Sequence, residues 1–281
     1  MTKRIFTPGS EWLYIKIYTG IKTADIILEE IIKPLVKDFQ QNQYILKWFF
    51  VRYNDPKPHL RIRFKLSDTE NYQPVSQRIN DILQGYIESG EISNILIDTY
   101  KREIERYGDN TIEEAETLFC HNSLFVLECL RYEDEEKIII CLYYIDLLLI
   151  QLGLSIPEKL DWIKNFNDGF KMEFNADKKL NSQLDIKYRD FKLKFAEFID
   201  SDEFFEQRSY IISNINESKD VSKKICKYYL SDKFFLQSFF QSIFHMNINR
   251  LFNSDQRLFE MIIYDYLLRY YKSQKFFSSN I

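Results

Sequence analysis

The segment from Trp48 to Leu66 constrains the chain most, because it reads as a hairpin and as little else: WFFVRY, then NDPKP, then HLRIRFKL. In the second arm Leu60, Ile62, Phe64 and Leu66 alternate with His59, Arg61, Arg63 and Lys65. A strand repeats every two residues, so the apolar set points one way and the basic set the other. Same-face neighbours lie about 7 Å apart. The prolines of the NDPKP loop suit a turn and exclude a central strand. The outcome is a row of positive charge on a sheet, suited to gripping carboxylate or phosphate.

The flanks extend this hairpin into a sheet. EWLYIKIYTG alternates and predicts a strand. Ala24 to Phe39 has helical spacing, with Ile27, Ile31, Leu35 and Phe39 on one face. A helix is expected over Pro74 to Ser89 and a strand over Asn94 to Tyr100. The order β-α-β-β-α-β is the split βαβ pattern, an antiparallel-rich sheet with helices on one face.

The character changes at Gly108. Helices are expected over Thr111 to Leu130, Asp134 to Leu152, Pro157 to Asn167, Asn175 to Phe198 and Asp220 to Phe239. A last helix or pair covers Phe239 to Lys272. TIEE at Thr111 is a capping-box signature, and SIPE places a proline in a first turn. The Lys/Asp/Asn-rich stretch Phe166 to Asp185 is the candidate exposed loop. With 7 Gly and 6 Pro there is no flexible linker. The expected fold is therefore α+β in a single domain, 1–281, with a sheet lobe (1–108) and a larger helical lobe (109–281). No internal repeat and no long heptad run is visible.

Composition narrows the functional classes. Hydrophobic residues at 45% and aromatics at 16% are ample for a core and argue against disorder. A net charge of −4 gives no global basic field, so direct nucleic-acid binding is not expected and any anion site must be local. Cys120, Cys129, Cys141 and Cys226 show no CxxC spacing, so no metal site is expected and the cysteines read as small buried side chains in a reducing compartment. The start, MTKRIFTPGSEW, shows no apolar signal region. The longest apolar run, Ile138 to Leu154, has Asp146 in its middle, which favours a buried core helix over a membrane span. A cytoplasmic protein is expected.

Three constellations could carry chemistry. The first is His59, Arg61, Arg63 and Lys65. A solvated outer face is the plain reading of such a row, but two arginines at adjacent same-face positions suit bidentate carboxylate binding, and the partner strand adds Arg52. The second is YKREIERYG, where Glu103 and Arg106 pair on a helix and diverge on a strand; a surface charge cluster is the plain reading. The third is SIFHMNINRLF, where His245 and Asn249 share a helical face with Arg250 close by. A lone helical histidine is more often structural than catalytic. There is no GxSxG, Walker A or GxGxxG motif. The residues alone give a soluble α+β protein with a local anion-binding face and one histidine available for acid–base work.

Together these segments resemble a family. WFFVRYNDPKPHLRIRF, EIERYG and FHMNINRLF, in that order and with the EWLYIKIYTG opening, are similar to thiopeptide-type bacteriocin biosynthesis proteins, the group that includes the C-terminal, glutamate-elimination domain of class I lanthipeptide dehydratases. The resemblance covers nearly the whole chain. It implies elimination of glutamate from glutamylated Ser or Thr of a ribosomal precursor peptide, giving dehydroalanine or dehydrobutyrine without a cofactor. The elimination residues it implies are Arg61, Arg63, Glu103, Arg106 and His245. Arg52, Asn249 and Arg250 are expected to bind substrate. Arg61 and Arg63 would take the ester or the glutamyl α-carboxylate, Arg106 oriented by Glu103 the other, and His245 the proton. The expected partners are the precursor peptide and a separate glutamylating subunit, with a homodimer left open. A pyridine-forming [4+2] cyclase and a non-catalytic scaffold are the rival readings. The chain departs from the family pattern at Arg102 and Asp109, where proline and a second glycine often stand, and at Asn122, where aspartate does.

Overall fold

The computed structural model describes residues 2–278, so the outermost residues of the expected 1–281 domain lie outside the described part. The chain divides into two compact units. The first holds residues up to Arg131 together with Asn249–Ser254. It contains β1 (Ile5–Phe6), β2 (Trp12–Thr19), α1 (Ile21–Ile26), α2 (Lys33–Gln41), β3 (Ile45–Tyr53), β4 (His59–Leu66), α3 (Tyr72–Glu88), β5 (Ile92–Ile97), β6 (Tyr100–Lys101), α4 (Ile104–Tyr107) and α5 (Ile112–Glu128). A π-helical stretch, Ile27–Ile32, joins α1 to α2 without a break.

Four strands form an antiparallel sheet in the order β3-β4-β2-β5, and β1 pairs with β6 in a small second ladder. That order is what a split βαβ chain produces, so the α+β expectation holds. The alternation in β4 is realised in full: Leu60, Ile62, Phe64 and Leu66 are buried, while Arg61, Arg63 and Lys65 keep partial exposure. Phe39 of α2 meets Phe64 edge-on at 5.8 Å, which places α2 against the apolar face. α5 packs along β3 and goes with the sheet unit.

The second unit, Tyr132–Ile248 and the chain from Asp255, is helical. It contains α6 (Asp134–Gln151), α7 (Ile156–Glu173), α8 (Lys178–Asp200), α9 (Phe205–Glu217), α10 (Lys219–Tyr228), α11 (Lys233–Leu251, whose last turn belongs to the first unit) and α12 (Gln256–Ser278). Asp146, in the middle of the apolar run, accepts from Lys159 Nζ and from the Tyr271 hydroxyl, both at 2.7 Å. No helix among the described residues is long and apolar enough to cross a membrane.

Three expectations are corrected here. Phe166 to Asp185 is no loop: α7 runs to Glu173, Asn175 ends it at φ 46°, and the Asp177 side chain caps α8 by accepting from Leu180 N at 2.8 Å. The helix expected over Asp220 to Phe239 breaks after Tyr228, because Asp232 accepts from Phe235 N at 2.9 Å and starts α11 instead. Thr111 makes no side-chain cap to α5; its hydroxyl donates to the Tyr107 carbonyl at 2.5 Å.

Candidate functional site

The register of β4 decides what its basic face meets. Arg63 lies between Tyr14 of β2 and Phe49 of β3, Arg61 between Lys16 and Val51, and His59 between Tyr18 and Tyr53. The face is therefore aromatic as well as basic. The Arg61 guanidinium stacks on the Tyr53 ring at 3.4 Å. The Arg63 guanidinium sits 4.3 Å from the Tyr14 ring, 5.0 Å from Tyr100 and 5.2 Å from Phe49. Such rings attract a cation through their faces. Among the described residues neither arginine has a carboxylate in ion-pair reach, and the buried Nε of Arg63 has no acceptor. Asp98 is nearby, but it pairs with Lys16 at 2.5 Å, and that hydrogen bond is the main reason its carboxyl lies below the usual range.

The structure turns Arg52 away from this face. Its register partner is Leu60, so it shares the apolar side, where it is buried and gives Nη2 to Asp25 at 2.5 Å and Nε to the Arg250 carbonyl at 2.8 Å. Asn249 and Arg250 also serve the scaffold. β3 is an edge strand, and side chains complete its outer hydrogen bonds. Asn249 accepts from Arg52 N and donates to Arg52 O, each at 3.0 Å. Arg250, buried, donates from Nε to Phe50 O at 2.7 Å and from Nη1 to Asn122 at 2.9 Å. The polar groups of these three residues, expected to bind substrate, close the β3 edge and the sheet's apolar side. Asn122, one of the departures from the family pattern, is a neutral acceptor for Arg250.

EIERYG forms one helical turn, α4, with Glu103 at its N-cap and Gly108 leaving it at φ 75°, a conformation that favours glycine. Glu103 and Arg106 pair at 3.4 Å and both are exposed, which settles the helix-or-strand alternative in favour of the helix. Tyr107 points inward and meets Phe119 edge-on at 5.1 Å. The preceding Arg102 is fully buried and makes a two-pronged ion pair with Glu116, Nε and Nη2 each at 2.7 Å. That pair anchors the end of β6 from which α4 projects.

In the second unit His245 lies on α11 and is about 29% exposed. Its Nδ1 contacts Glu260 of α12 at 2.7 Å. Glu260 is buried, and it also accepts from Tyr264 at 3.1 Å and from Arg257 Nη1 at 3.3 Å. Burial first, and then the Glu260 charge, push the Tyr264 phenol well above its ordinary value, so it remains a donor. A carboxylate on Nδ1 holds the proton there and leaves Nε2 as the atom that takes or gives one. Among the described residues no hydrogen bond to Nε2 is made.

Sequence reasoning missed Glu260, since nothing in its local pattern links it to a histidine on another helix. It also missed Tyr14, Tyr53 and Tyr100. The alternation of β2 and β3 carried that signal for Tyr14 and Tyr53, whereas Tyr100 comes from β6, outside the four-stranded sheet. Among the described residues no group of three or more His, Cys, Asp or Glu could hold a metal ion, and the four cysteines form no disulfide.

Comparison with known proteins adds a family. A family described as "Lantibiotic biosynthesis dehydratase C-term" matches residues 12–271. The subtilin biosynthesis protein SpaB of Bacillus subtilis is 29% identical over 92% of this chain and 25% of its own length. The chain thus spans about a quarter of this curated relative. Among solved structures, the tRNA dependent lantibiotic dehydratase MibB from Microbispora sp. 107891 superposes with a TM-score of 0.72 at 18% identity, over 96% of this chain and 29% of MibB. The pyridine synthase TbtD from thiomuracin biosynthesis gives 0.61 at 12% identity, over 94% of this chain and 99% of TbtD.

Proposed function

The chain belongs to the lantibiotic biosynthesis dehydratase C-terminal family, and from that premise we propose that it eliminates glutamate from glutamylated Ser or Thr of a ribosomal precursor peptide. The observation that carries this reading is the pair Arg61 and Arg63: two guanidinium groups held by aromatic rings, with no carboxylate of their own among the described residues.

The reaction removes the Cα proton of the acylated residue, forms the Cα=Cβ bond from that electron pair, and breaks the Cβ–O bond. Glutamate leaves as a carboxylate, and negative charge grows on it through the transition state. Fixed cationic donors aimed at that charge lower the barrier. Among the described residues Arg61 gives only Nε, to His59, and Arg63 gives none of its side-chain N–H groups to an acceptor, so both have donors to spare. Arg106, oriented by Glu103, supplies a third, more exposed cation for the other carboxyl group of the glutamyl moiety. His245 takes or delivers the proton at Nε2 while Glu260 holds Nδ1. Glu116 and Asp25 are already matched by Arg102 and Arg52, which leaves the unmatched positive charge where an anionic leaving group would bind. A glutamylating activity would supply the substrate, and the protein would act as a carbon–oxygen lyase.

The test is release of glutamate from a pre-glutamylated precursor peptide. The intact protein should produce dehydroamino acids, and Arg61→Ala, Arg63→Ala and His245→Ala should not. Glutamate release at the unmodified rate by these variants would sink the assignment. Formation of a pyridine ring from a peptide bearing two dehydroalanines would replace it with the cyclase reading.

A further inference from the structure

His59 lies on the same face of β4 as Arg61, two positions before it, and is nearly fully buried. Its ring stacks on Tyr18 at a centroid distance of 4.6 Å and meets Tyr53 at 5.4 Å. Nδ1 lies 2.8 Å from the Lys57 carbonyl, and Nε2 lies 3.0 Å from Arg61 Nε. These partners fix the ring's protonation. A carbonyl oxygen can only accept, so Nδ1 carries the hydrogen. Arginine Nε can only donate, so Nε2 must offer its lone pair. The imidazole is therefore neutral, with one tautomer, whenever both bonds are made.

From this we infer that His59 is a positioning residue for Arg61: its neutral ring pins the guanidinium through Nε, and protonation of that ring releases it. With Nε tied to His59 and one face on Tyr53, Arg61 keeps its Nη1/Nη2 edge for a carboxylate. A guanidinium held on two sides loses little freedom on binding. A second proton on the imidazole would turn Nε2 into a donor facing a donor and set two positive charges side by side. The groups that face the ring are Tyr18 of β2, Tyr53 of β3, Asp55 and Lys57 of the loop, Arg61 of β4 and Lys16 of β2. Burial is the largest influence and favours the neutral ring; the Lys57 carbonyl, next in size, opposes it, Arg61 and Lys16 add to burial, and Asp55 opposes least; the net pKa falls below the ordinary 6.5. Because the folded value is the lower one, the unfolded chain binds more protons below pH 6.5. Fold stability contributed here is thus complete above 6.5 and declines as pH falls from there towards the folded value.

This role rests on the elimination reading for its catalytic consequence, but not for its structural part, and the experiment separates the two. In the full chain, proton–nitrogen correlation spectra of the imidazole should show hydrogen on Nδ1, and the Arg61 Nε–H signal should disappear on the same titration that protonates His59. An Nε2–H tautomer, or an Arg61 signal indifferent to that titration, overturns the inference even if no glutamylated peptide is ever processed. With a pre-glutamylated peptide, rates are then followed between about pH 5 and 8. His59→Gln retains an acceptor that does not titrate, so it should hold the neutral-pH rate and shift the acid limb to lower pH. His59→Leu removes the acceptor and should raise KM about tenfold with a smaller fall in kcat. Superimposable pH profiles for the natural protein and His59→Gln, or an unchanged KM in a folded His59→Leu, overturn it. Failure of the natural protein on every glutamylated peptide, with the spectra as expected, overturns the elimination reading alone.

Discussion

On one side of the four-stranded sheet, Arg52 gives Nη2 to Asp25 at 2.5 Å and Nε to a backbone carbonyl; on the other, Arg61 and Arg63 lie against Tyr53, Tyr14, Tyr100 and Phe49 and reach no carboxylate among the described residues. The same residue type is held by two kinds of contact. A carboxylate consumes the in-plane N–H groups and balances the charge, so the arginine becomes architecture. An aromatic ring attracts the guanidinium through its face and leaves the edge donors unspent. An arginine fixed by rings is thus rigid and still able to bind an anion, which is what an elimination that expels a carboxylate requires.

The comparison breaks most sharply if the charges are removed one side at a time. Replacing Arg52 by Met leaves Asp25 without its cation in a largely buried place, and loss of one partner from such a pair costs about 3–5 kcal/mol. Chemical denaturation should show a correspondingly lower midpoint. A stability loss under about 1 kcal/mol, the range of an exposed pair, would put Arg52 in the same class as Arg61.

Arg63→Met should do the reverse. It strands no carboxylate, so denaturation should change little, while glutamate release should fall by about 10²–10³-fold, the range for loss of one preorganised donor to a developing anion. A variant that unfolds like Arg52→Met, or that retains full activity, would erase the distinction between the two faces.

The second unit extends the contrast to carboxylates. Asp265 is buried and shared by Lys171 at 2.7 Å and Arg269 at 2.5 Å, two permanent cations. Glu260, equally buried, has one permanent cation, Arg257 at 3.3 Å, and takes an imidazole, that of His245 at 2.7 Å, as its nearer partner. Glu260→Gln keeps the shape but removes the acceptor that fixes Nδ1–H, and kcat should fall by about 10²-fold, at the low end of what a general acid–base group contributes. If kcat is unchanged while KM rises, Glu260 supports binding and the histidine's proton is governed elsewhere.

Much of this was legible in the chain. The alternation of β4 gave the sheet face, the β-α-β-β-α-β order gave the topology, and the spacing of Glu103 and Arg106 found its meaning once Gly108 ended a helical turn. Arg52 misleads because its place beside the basic row in the hairpin suggests membership of it. Hairpin register, not sequence proximity, sets the face, and the register pairs Arg52 with Leu60. Asn249 and Arg250 misled for a related reason: an edge strand needs partners, and no local pattern shows which distant side chains will provide them. Glu260 was out of reach because helix-to-helix contacts depend on packing that no periodicity encodes. The loop expected at Phe166 to Asp185 failed on composition, since polar helices with good caps look like loops until the capping residues, here Asn175 and Asp177, are weighed.

The smallest effect belongs to the ring under Arg61. Tyr53 is partly exposed, its ring lies 3.4 Å from the guanidinium, and it also contacts His59. A stack at such a site is worth about 0.5–1 kcal/mol. Tyr53→Leu should therefore raise KM for the glutamylated peptide about two- to fivefold, because Arg61 keeps its charge and its bond to His59 but loses part of its fixed orientation. Tyr53→Phe should behave as the natural protein does, since the stack uses the ring and not the hydroxyl. If Phe proves as damaging as Leu, the hydroxyl acts on substrate directly, and the ring-held arginines would owe their readiness to something other than aromatic faces.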